Sequence, residues 1–360
     1  MTADELTGLH PIEPPETTPV PTVEADLVTV VIPARDEEAF IGPCLDSVLA
    51  QDEERLQVIV VDGASRDRTC DIVRQYAGRD ARVELLHNID GIIPKSLNIA
   101  LRAARGTWLV RIDAHATVPP GYVKGIVTHL RTGRWGGVGG RKEGVGVTPA
   151  GRAVAAAMAS RFGAGNSTYH FGTRVQTVEH IPFGAYPTSL LRALGGWNEA
   201  LRVNQDFELD YRVRQSHHDL LFDPALVVAW HCRQSIRTLF RQYRRYGQGK
   251  AFMISLNPRS TRLRQLAAPG LVAGCIVGVT LLPLLRWPAP LMFGSYALGL
   301  AMASLITARA IPDRRARVRV PLAFLAMHTG WGLGFWQGVW DVGRRRLSRN
   351  FHLARRRGQS

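Results

Sequence analysis

An acidic pair follows the first apolar run of the chain. The stretch Val30-Val-Ile-Pro-Ala-Arg-Asp-Glu-Glu38 puts a proline, and then Asp36 and Glu37, directly after that run. Backbone amides and carboxylates in such a place can hold the ribose and base of a nucleotide, which are neutral and rich in hydrogen-bond donors. The same carboxylates can instead complement the dipole of a following helix, so this run alone leaves both interpretations open.

A second carboxylate ends the next apolar run. Val60-Val61-Asp62 leads into Gly63 and Ser65, which suit a tight turn before a helix. Asp62 is placed to accept a hydrogen bond from a nucleotide base or ribose, whereas Ser65 is equally suited to cap the helix. Two acidic run ends together favour a nucleotide cleft.

Two later groupings combine groups that bind cations or protons. Asp113 and His115 follow the fourth apolar run, and both side-chain types ligate divalent metals, although they can also cap a strand end. Asp206 and Asp210 share one face of an acid-rich helical segment, and Glu208 lies on another. A carboxylate at this helix start can act as a general base or complement the helix dipole.

These segments resemble the motifs of family 2 glycosyltransferases. The first two match the patterns I-P-x-x-N-E and V-D-D/G-x-S-x-D-x-T, with Asp36 in place of the usual Asn. Pro94-Lys95-Ser96-Leu97-Asn98 and Ala104-Arg105-Gly106 are similar to the G-K-x-x-A-L-N…A-x-G block, and the order holds from Val28 to Tyr246. The resemblance implies an α/β domain of the GT-A type, with a Rossmann-like, mixed but mainly parallel sheet, and a nucleotide-sugar donor, expected to be a UDP-sugar.

The resemblance also implies roles for single residues. Asp62 falls on the carboxylate that contacts the nucleotide, and Asp206 on the base of an inverting transfer, preceded by Gln205 where Glu is usual. Asp113 falls on the D-x-D motif that holds Mn²⁺ or Mg²⁺ against the diphosphate, and His115 replaces its second carboxylate. This D-A-H form is similar to that of succinoglycan-type exopolysaccharide glycosyltransferases. The expected substrate-binding residues are Pro33, Ala34, Glu37, Asp62, Ser65, Lys95, Asn98, Arg111, Trp197, Gln205, Gln242 and Arg245.

Two of these substrate-binding predictions have a competing interpretation. Trp197 follows two glycines and can stack on a sugar ring or pack in the core. The segment Gln242-Tyr-Arg-Arg-Tyr246 resembles the Q-x-x-R-W motif of processive synthases, with Tyr in place of Trp. Arg245 can accordingly reach a diphosphate or belong to a surface that binds lipid headgroups.

Four apolar runs must position these groups. They are Val28–Ile32, Gln57–Val61, Val83–Leu86 and Thr107–Ile112, and each is followed by a turn and an amphipathic segment. This alternation is typical of a parallel sheet covered by helices on both faces, in which ligands lie beyond the carboxyl ends of the strands. The Gly-rich stretch 140–230 is expected to be less regular.

The positive charge of the chain is concentrated near its C-terminus. The net charge is +15, and residues 261–360 carry 15 Arg, no Lys and two Asp, a net of +13. A polybasic segment beside apolar stretches indicates anionic lipids rather than nucleic acid as the partner. The four cysteines are far apart and form no C-x-x-C pair, so neither a zinc site nor a disulfide framework is indicated.

Two apolar segments are predicted to cross a membrane. Leu266–Leu285 and Ala289–Ala308 are each 20 residues without a charge, which is long enough for the hydrocarbon core. Pro321–Trp340 contains four glycines, and we expect it to be re-entrant or interfacial, with a third span as the alternative. The five arginines of Arg309–Arg319 favour a cytoplasmic loop, which places the enzyme domain on the cytoplasmic face of the inner membrane.

The predicted order of domains ends in a membrane anchor. A disordered leader (1–26) precedes a GT-A domain (27–232), an amphipathic interfacial helix (233–260), a membrane region (261–343) and a basic tail (344–360). The expected partners are a UDP-sugar, a lipid-linked (polyprenyl) or glycan acceptor and membrane lipids, without nucleic acid. A processive polysaccharide synthase and a non-catalytic membrane scaffold with an altered metal motif are the alternatives.

Overall fold

The computed structural model describes residues 22–52, 55–165, 167–284 and 287–357. The chain divides into two compact units. Unit 1 comprises Met1–Gly144 and Ser167–His231, and unit 2 comprises Val145–Asn166 and Cys232–Ser360. Residues 1–21 of the predicted leader lie outside the described residues, and the domain boundaries expected from the sequence stay a prediction.

Unit 1 is built on a nine-stranded mixed sheet. Its strands are β1 (Glu24–Ala34), β2 (Leu56–Asp62), β3 (Val83–His87), β4 (Gly106–Arg111), β5 (Ala116–Thr117), β6 (Trp135–Val145), β7 (Gln176–Val178), β8 (Ala185–Pro187) and β9 (Asp219–His231). Their order across the sheet is β3-β2-β1-β4-β8-β6-β9-β5, and β7 pairs with β9.

Helices cover the sheet of unit 1 and form most of unit 2. The α-helices are α1 (Ile41–Leu49), α2 (Thr69–Ala77), α3 (Ile93–Ala103), α4 (Tyr122–Leu130), α5 (Pro149–Met158), α6 (Arg161–Ala164), α7 (Thr188–Ala193), α8 (Gln205–Gln215), α9 (Ile236–Leu256), α10 (Ala267–Thr280), α11 (Pro288–Arg309), α12 (Arg314–Arg317) and α13 (Val320–Arg357). Helices α5, α6 and α9 to α13 belong to unit 2.

The parallel half of the sheet confirms the four predicted apolar runs. Strand β1 pairs in parallel with β2 and β4, and β2 with β3. The side chains of β1 from Val28 to Ile32 are inaccessible to solvent, which explains why the sequence there is apolar except for Thr29, whose hydroxyl donates to Gln57 Oε1. Since the strands run in one direction, the carboxyl ends of β1, β2 and β4 lie at one edge of the sheet.

The other half of the sheet is antiparallel, and it contains two long strands in the stretch expected to be less regular. Because β6 is rich in glycine, the sequence did not predict it as a strand. The structure shows that close packing, not a loop, requires these glycines. A Cβ on Gly137 would lie 2.8 Å from the ring of Tyr186, and one on Gly140 would overlap the carbonyl of Leu226 in β9. The sheet is therefore mixed, and only the half that contains β1 to β4 is parallel.

Unit 2 is helical, and its most extensive helix–helix contact joins α9 to α13. Arg244 Nε donates to Gln337 Oε1 at 2.9 Å, and Gln248 Nε2 donates to Asp341 Oδ2 at 2.8 Å. The earlier helix α5 is attached to the same unit through Arg152, whose Nη2 lies 2.7 Å from Asp313 Oδ2. Residues distant in sequence thus fold together in unit 2.

Glycines allow α9 and α13 to approach closely. A Cβ on Gly334 would overlap the carbonyl oxygen of Arg244, and one on Gly338 would lie 2.6 Å from that of Gln248. This four-residue spacing of small side chains is typical of tightly packed helix pairs. Residues 321–340 belong to one unbroken helix, which corrects the expectation of a re-entrant element: the glycines serve helix packing and do not break the helix.

Among the described residues, one helical segment is long and apolar enough to cross a membrane, Ala289–Arg309 within α11. Of the other predicted span, Leu266–Leu285, residues 267–280 form the 14-residue helix α10 and residues 281–284 form a turn, while Leu285 lies outside the described residues. At 1.5 Å per residue α10 is about 21 Å long, shorter than a hydrocarbon core of about 30 Å. Pro283 lies in that turn, where its ring disfavours continuation of the helix.

The glycine contact yields a matched pair of substitutions in α13. Gly334→Ala is expected to destabilise unit 2 by about 1–3 kcal/mol, because the added methyl group overlaps Arg244 of α9. Gly343→Ala adds the same group where no atom lies within 4 Å, so helix propensity should leave stability unchanged or slightly increased. The measurement is the midpoint temperature of full-length protein in detergent, followed by size-exclusion chromatography after heating. Equal midpoints for the two variants would contradict the packing argument.

Candidate active site

A buried arginine at the end of β4 joins two carboxylates of unit 1. Arg111 Nη2 lies 2.9 Å from Asp113 Oδ1, and Arg111 Nη1 lies 2.5 Å from Asp206 Oδ1. The Arg111 side chain is 4% exposed, and the two carboxylates are 18% and 22% exposed. The structure thus brings together three predicted residues from two separate motifs and leaves both carboxylates partly exposed.

Electrostatics keep Arg111 and Asp113 charged at neutral pH. Burial opposes the charged form of Arg111, but the neighbouring Asp113 and Asp206 outweigh burial and raise the pKa of the guanidinium. Burial likewise opposes ionisation of Asp113, but the neighbouring side chains of Arg111, His115 and Lys142 outweigh it and lower the pKa of this carboxyl. Because the pKa of Asp113 is depressed, its stabilising contribution is present at neutral pH and is lost as the pH falls through the folded-state pKa.

Asp206 is held through one of its two oxygens. Its Oδ1 accepts hydrogen bonds from Arg111 and, at 3.1 Å, from Trp197 Nε1. Its Oδ2 has no hydrogen-bond partner among the described residues, so this oxygen is free to accept a proton. Trp197 is 1% exposed, which leaves no ring face for the sugar stacking expected from the sequence. The structure places Trp197 in the core behind Asp206, where it orients the carboxylate.

Asp210, one helical turn after Asp206, anchors helix α8 to the buried interior of unit 1. The buried Asp210 carboxylate lies 2.7 Å from His180 Nδ1, and it accepts hydrogen bonds from Ile181 N at 2.9 Å and Tyr186 Oη at 2.7 Å. Burial raises the pKa of Asp210 despite these partners. Helical spacing in the sequence placed Asp206 and Asp210 on one face, but their different surroundings are visible only in the structure.

His115 is oriented by Glu37, which the sequence analysis had placed among the substrate-binding residues. His115 Nδ1 lies 2.8 Å from Glu37 Oε1, and the imidazole packs against Trp230 with 5.6 Å between ring centroids. In the tautomer that donates from Nδ1, the lone pair on Nε2 is available to a cation. A histidine that donates its second nitrogen to a carboxylate is the usual arrangement around protein-bound metals.

The donor set of Asp113 and His115 suits a divalent cation. Asp113 uses Oδ1 for Arg111, while Asp113 Oδ2 has no hydrogen-bond partner in the part of the chain that the structure describes. One carboxylate oxygen and one imidazole nitrogen are ligands that Mn²⁺ accepts readily, with substrate oxygens and water completing the shell.

A second group of potential ligands lies at the end of β2. Oxygen, sulfur and nitrogen atoms of Asp62, Cys70 and His87 all lie within 4.8 Å of one another. Burial and the hydrogen bond to Asp62 raise the pKa of the Cys70 thiol to about 11, so the thiol is protonated at neutral pH. This cluster was not predicted from the sequence, because the prediction about metal sites considered only the spacing between cysteines.

The loops after β1 and β2 are tied to each other. Asp62 is buried and accepts from Ser65 N at 3.2 Å, and Ser65 Oγ accepts from Asp36 N at 2.9 Å. Ser65 is therefore not a helix cap, since α2 begins only at Thr69. Pro33 and Ala34 lie opposite Val61 and Asp62 in the parallel register. Asp62 lies opposite Ala34 and Arg111 opposite Val31 on the intervening strand β1, so Asp62 is two strands away from Arg111 and three residues further along the strand direction.

Left-handed backbone conformations occur in the loops of this edge. Asp36 (φ 54°), Ala64 (φ 60°), Phe183 (φ 51°) and Asn204 (φ 62°) all have positive φ. Each costs about 1–3 kcal/mol, and such residues persist at sites where the surrounding structure enforces them. Asn204 directly precedes α8, so the strained turn sets the direction in which Asp206 leaves the backbone.

The remaining predicted substrate-binding residues occupy different environments. Asn98 is buried; its Nδ2 donates to Trp197 O and its Oδ1 accepts from Trp197 N, both at 2.8 Å. Asn98 therefore has a structural role, because it fixes the backbone at Trp197. Lys95 forms an ion pair with Asp90, and Gln205 is buried at the start of α8. Gln242 and Arg245 belong to unit 2, on helix α9.

Lys142 was missed by the sequence analysis. Its Nζ lies 3.5 Å from the ring centroid of Trp230 and 4.6 Å from that of Phe183, and its charge contributes to the low pKa of Asp113. Two aromatic rings thus hold a cation close to the predicted metal ligands. The sequence contained no signal for this role, because the three residues come together only when β6 joins the sheet.

Comparison with known proteins identifies related glycosyltransferases. The sequence profile described as "Glycosyl transferase family 2" matches residues 29–193. The succinoglycan biosynthesis protein ExoA of Rhizobium meliloti (strain 1021) is 29% identical over 322 residues, which cover 88% of this chain and 96% of that protein. The uncharacterized glycosyltransferase EpsJ of Bacillus subtilis (strain 168) is 36% identical over 87 residues, covering 24% of this chain and 25% of that protein.

A solved structure shares the fold. The mannosyltransferase PcManGT from Pyrobaculum calidifontis, in complex with GDP-Man and Mn²⁺, aligns with a TM-score of 0.56 and 21% identity, covering 90% of this chain and 91% of that one. This likeness shows the fold alone and confirms the mixed α/β sheet of the GT-A type. Residues 29–193 thus match the profile of glycosyl transferase family 2, and the chain is similar to exopolysaccharide enzymes of that family.

Proposed function

We propose that this protein is an inverting hexosyltransferase that moves a sugar from a UDP-sugar to a lipid-linked (polyprenyl) or polysaccharide acceptor. The observation that carries the proposal is the buried Arg111, which holds Asp113 and Asp206 together with one oxygen of each carboxylate left open. Similarity to a succinoglycan biosynthesis protein over most of both chains supports a place in exopolysaccharide or cell-envelope glycan synthesis.

The two carboxylates have separate tasks in the proposed reaction. Asp113 and His115 would hold Mn²⁺ or Mg²⁺, which when bound neutralises the charge of the leaving diphosphate. Asp62 and the linked loops after β1 and β2 would hold the nucleotide. Asp206 Oδ2 accepts the proton of the acceptor hydroxyl as its oxygen attacks the anomeric carbon. Attack on the face opposite the leaving group inverts the configuration at that carbon.

The proposal includes membrane attachment through unit 2. Helix α11 is long and apolar enough to span the bilayer, and the arginines of the loop Arg309–Arg319 favour the cytoplasmic side. A multi-pass arrangement requires the shorter α10 and the turn after it to cross as well. We propose the inner membrane, with unit 1 in the cytoplasm where nucleotide-sugars are available.

Asp206→Asn is expected to lower sugar transfer about 100-fold or more, because the amide cannot accept the acceptor proton. The assay is release of UDP from a panel of UDP-sugars by detergent-purified protein with Mn²⁺ and membrane lipid extract. Binding of UDP, measured separately by calorimetry, should persist in the variant. The control is Asp219→Asn, which removes an exposed carboxylate at the start of β9 and should leave turnover unchanged.

Two outcomes would count against the proposal. Equal turnover by the wild type and Asp206→Asn would remove Asp206 from the role of base. Binding of UDP-sugars by the wild type without turnover on any acceptor would instead favour the non-catalytic scaffold. A processive synthase would be recognised by the length of the product, since a single transfer adds one sugar and a processive enzyme adds many.

Glu37→Gln is expected to weaken binding of Mn²⁺ about 10- to 100-fold, because the neutral amide no longer orients and polarises His115. The measurement is the concentration of free Mn²⁺, by electron paramagnetic resonance, in titrations of the protein with UDP present. Glu38→Gln serves as the control, since Glu38 accepts a hydrogen bond from Arg68 N and has no contact with His115 among the described side chains. Unchanged Mn²⁺ affinity in Glu37→Gln would separate His115 from the metal.

A further inference from the structure

A groove of about 380 Å³ lies within unit 2, and arginines dominate its lining. Helix α9 and the residues before it contribute most of the groove, and α13 contributes one side chain. The residues that matter here are Arg233, Arg241, Arg244, Arg245, Gln248 and Gln337. All four arginines are exposed, so the groove opens to the surroundings of unit 2.

No carboxylate of unit 2 neutralises these arginines. The unit contains only two acidic residues, Asp313 and Asp341, against 24 Arg and Lys. Asp313 is bound by Arg152, and Asp341 accepts its hydrogen bond from Gln248. Within the described ranges, none of the four groove arginines forms an ion pair.

One of the guanidinium groups is already oriented. Arg244 donates from Nε to Gln337 Oε1 at 2.9 Å, which fixes the plane of the group. Its two terminal nitrogens have no hydrogen-bond partner in the described part of unit 2. Parallel donors on a fixed guanidinium suit the paired oxygens of a phosphate.

Four like charges in one groove repel each other, and a bound anion would remove this repulsion. A volume of about 380 Å³ admits a phosphate with an attached alcohol or second phosphate, but not a protein segment. The same unit exposes apolar side chains along α11, such as Leu298, Met302 and Leu305. Arginines beside an apolar membrane segment attract anionic headgroups.

We propose that this arginine groove binds the phosphate-bearing headgroup of a membrane lipid. The inference rests on the proposed membrane attachment and adds to it a defined headgroup site. Arg241 and Arg244 grip the phosphate oxygens, while the acyl chains remain in the bilayer beside the apolar helices.

The test is native mass spectrometry of the full-length protein in a neutral detergent, with no sugar donor or acceptor. Phosphatidylglycerol should be retained, whereas diacylglycerol with the same chains but no phosphate should not. Arg241→Gln/Arg244→Gln should lower retention of phosphatidylglycerol about 10- to 30-fold, from the loss of two cationic contacts. The matched control, Arg79→Gln/Arg134→Gln, removes the same charge from exposed positions of unit 1 and should bind as the wild type does.

Three results would overturn the proposal. These are equal retention of diacylglycerol, unchanged retention of phosphatidylglycerol by the groove variant, and an equal loss in the control variant. Inorganic diphosphate is the remaining arm: if it binds the groove and phosphatidylglycerol does not, the ligand is a soluble phosphate. Because neither variant touches unit 1 at the proposed catalytic residues and no turnover is measured, failure of the proposed transfer reaction would leave this test intact.

Discussion

The buried guanidinium of Arg111 constrains the whole candidate site. A cation at 4% exposure is stable there only because Asp113 and Asp206 neutralise it, so the loop after β4 and the start of α8 must both be in place. Trp197, Asn98 and Asp210 support that arrangement from the core side. The Oδ1 atoms of Asp113 and Asp206 are used in structural hydrogen bonds, whereas their Oδ2 atoms have no partner among the described residues.

Prediction from the sequence succeeded where a single segment determines the local structure. Strands β1, β2 and β4 are buried on both faces, so each is a mainly apolar run, and the acidic residues after β1, at the end of β2 and after β4 are visible as motifs. It failed where distant segments meet. Gly140 lies in the stretch expected to be less regular, and only its close approach to Leu226 explains why it belongs to a strand. Trp197 was predicted to bind substrate, and only the structure shows that it is buried.

The two units differ in net charge and in how their arginines are neutralised. Unit 1 holds 21 basic and 28 acidic residues, a net of −7, whereas unit 2 holds 24 basic and two acidic residues, a net of +22. In unit 1 arginines are neutralised by specific carboxylates, as around Arg111. In unit 2 the four groove arginines face the surroundings, which is the pattern expected of a surface that takes its counter-ions from outside the protein.

The interleaving of the two units has a consequence for the order of synthesis. Helix α5 leaves the ribosome before β7, β8 and β9 of unit 1, yet its partner Asp313 lies 161 residues after Arg152. Its buried Val154 and Met158 must wait for the last part of the chain. A fragment cut after His231 would therefore leave this helix without its partners, so unit 1 cannot be obtained cleanly by truncation at that point.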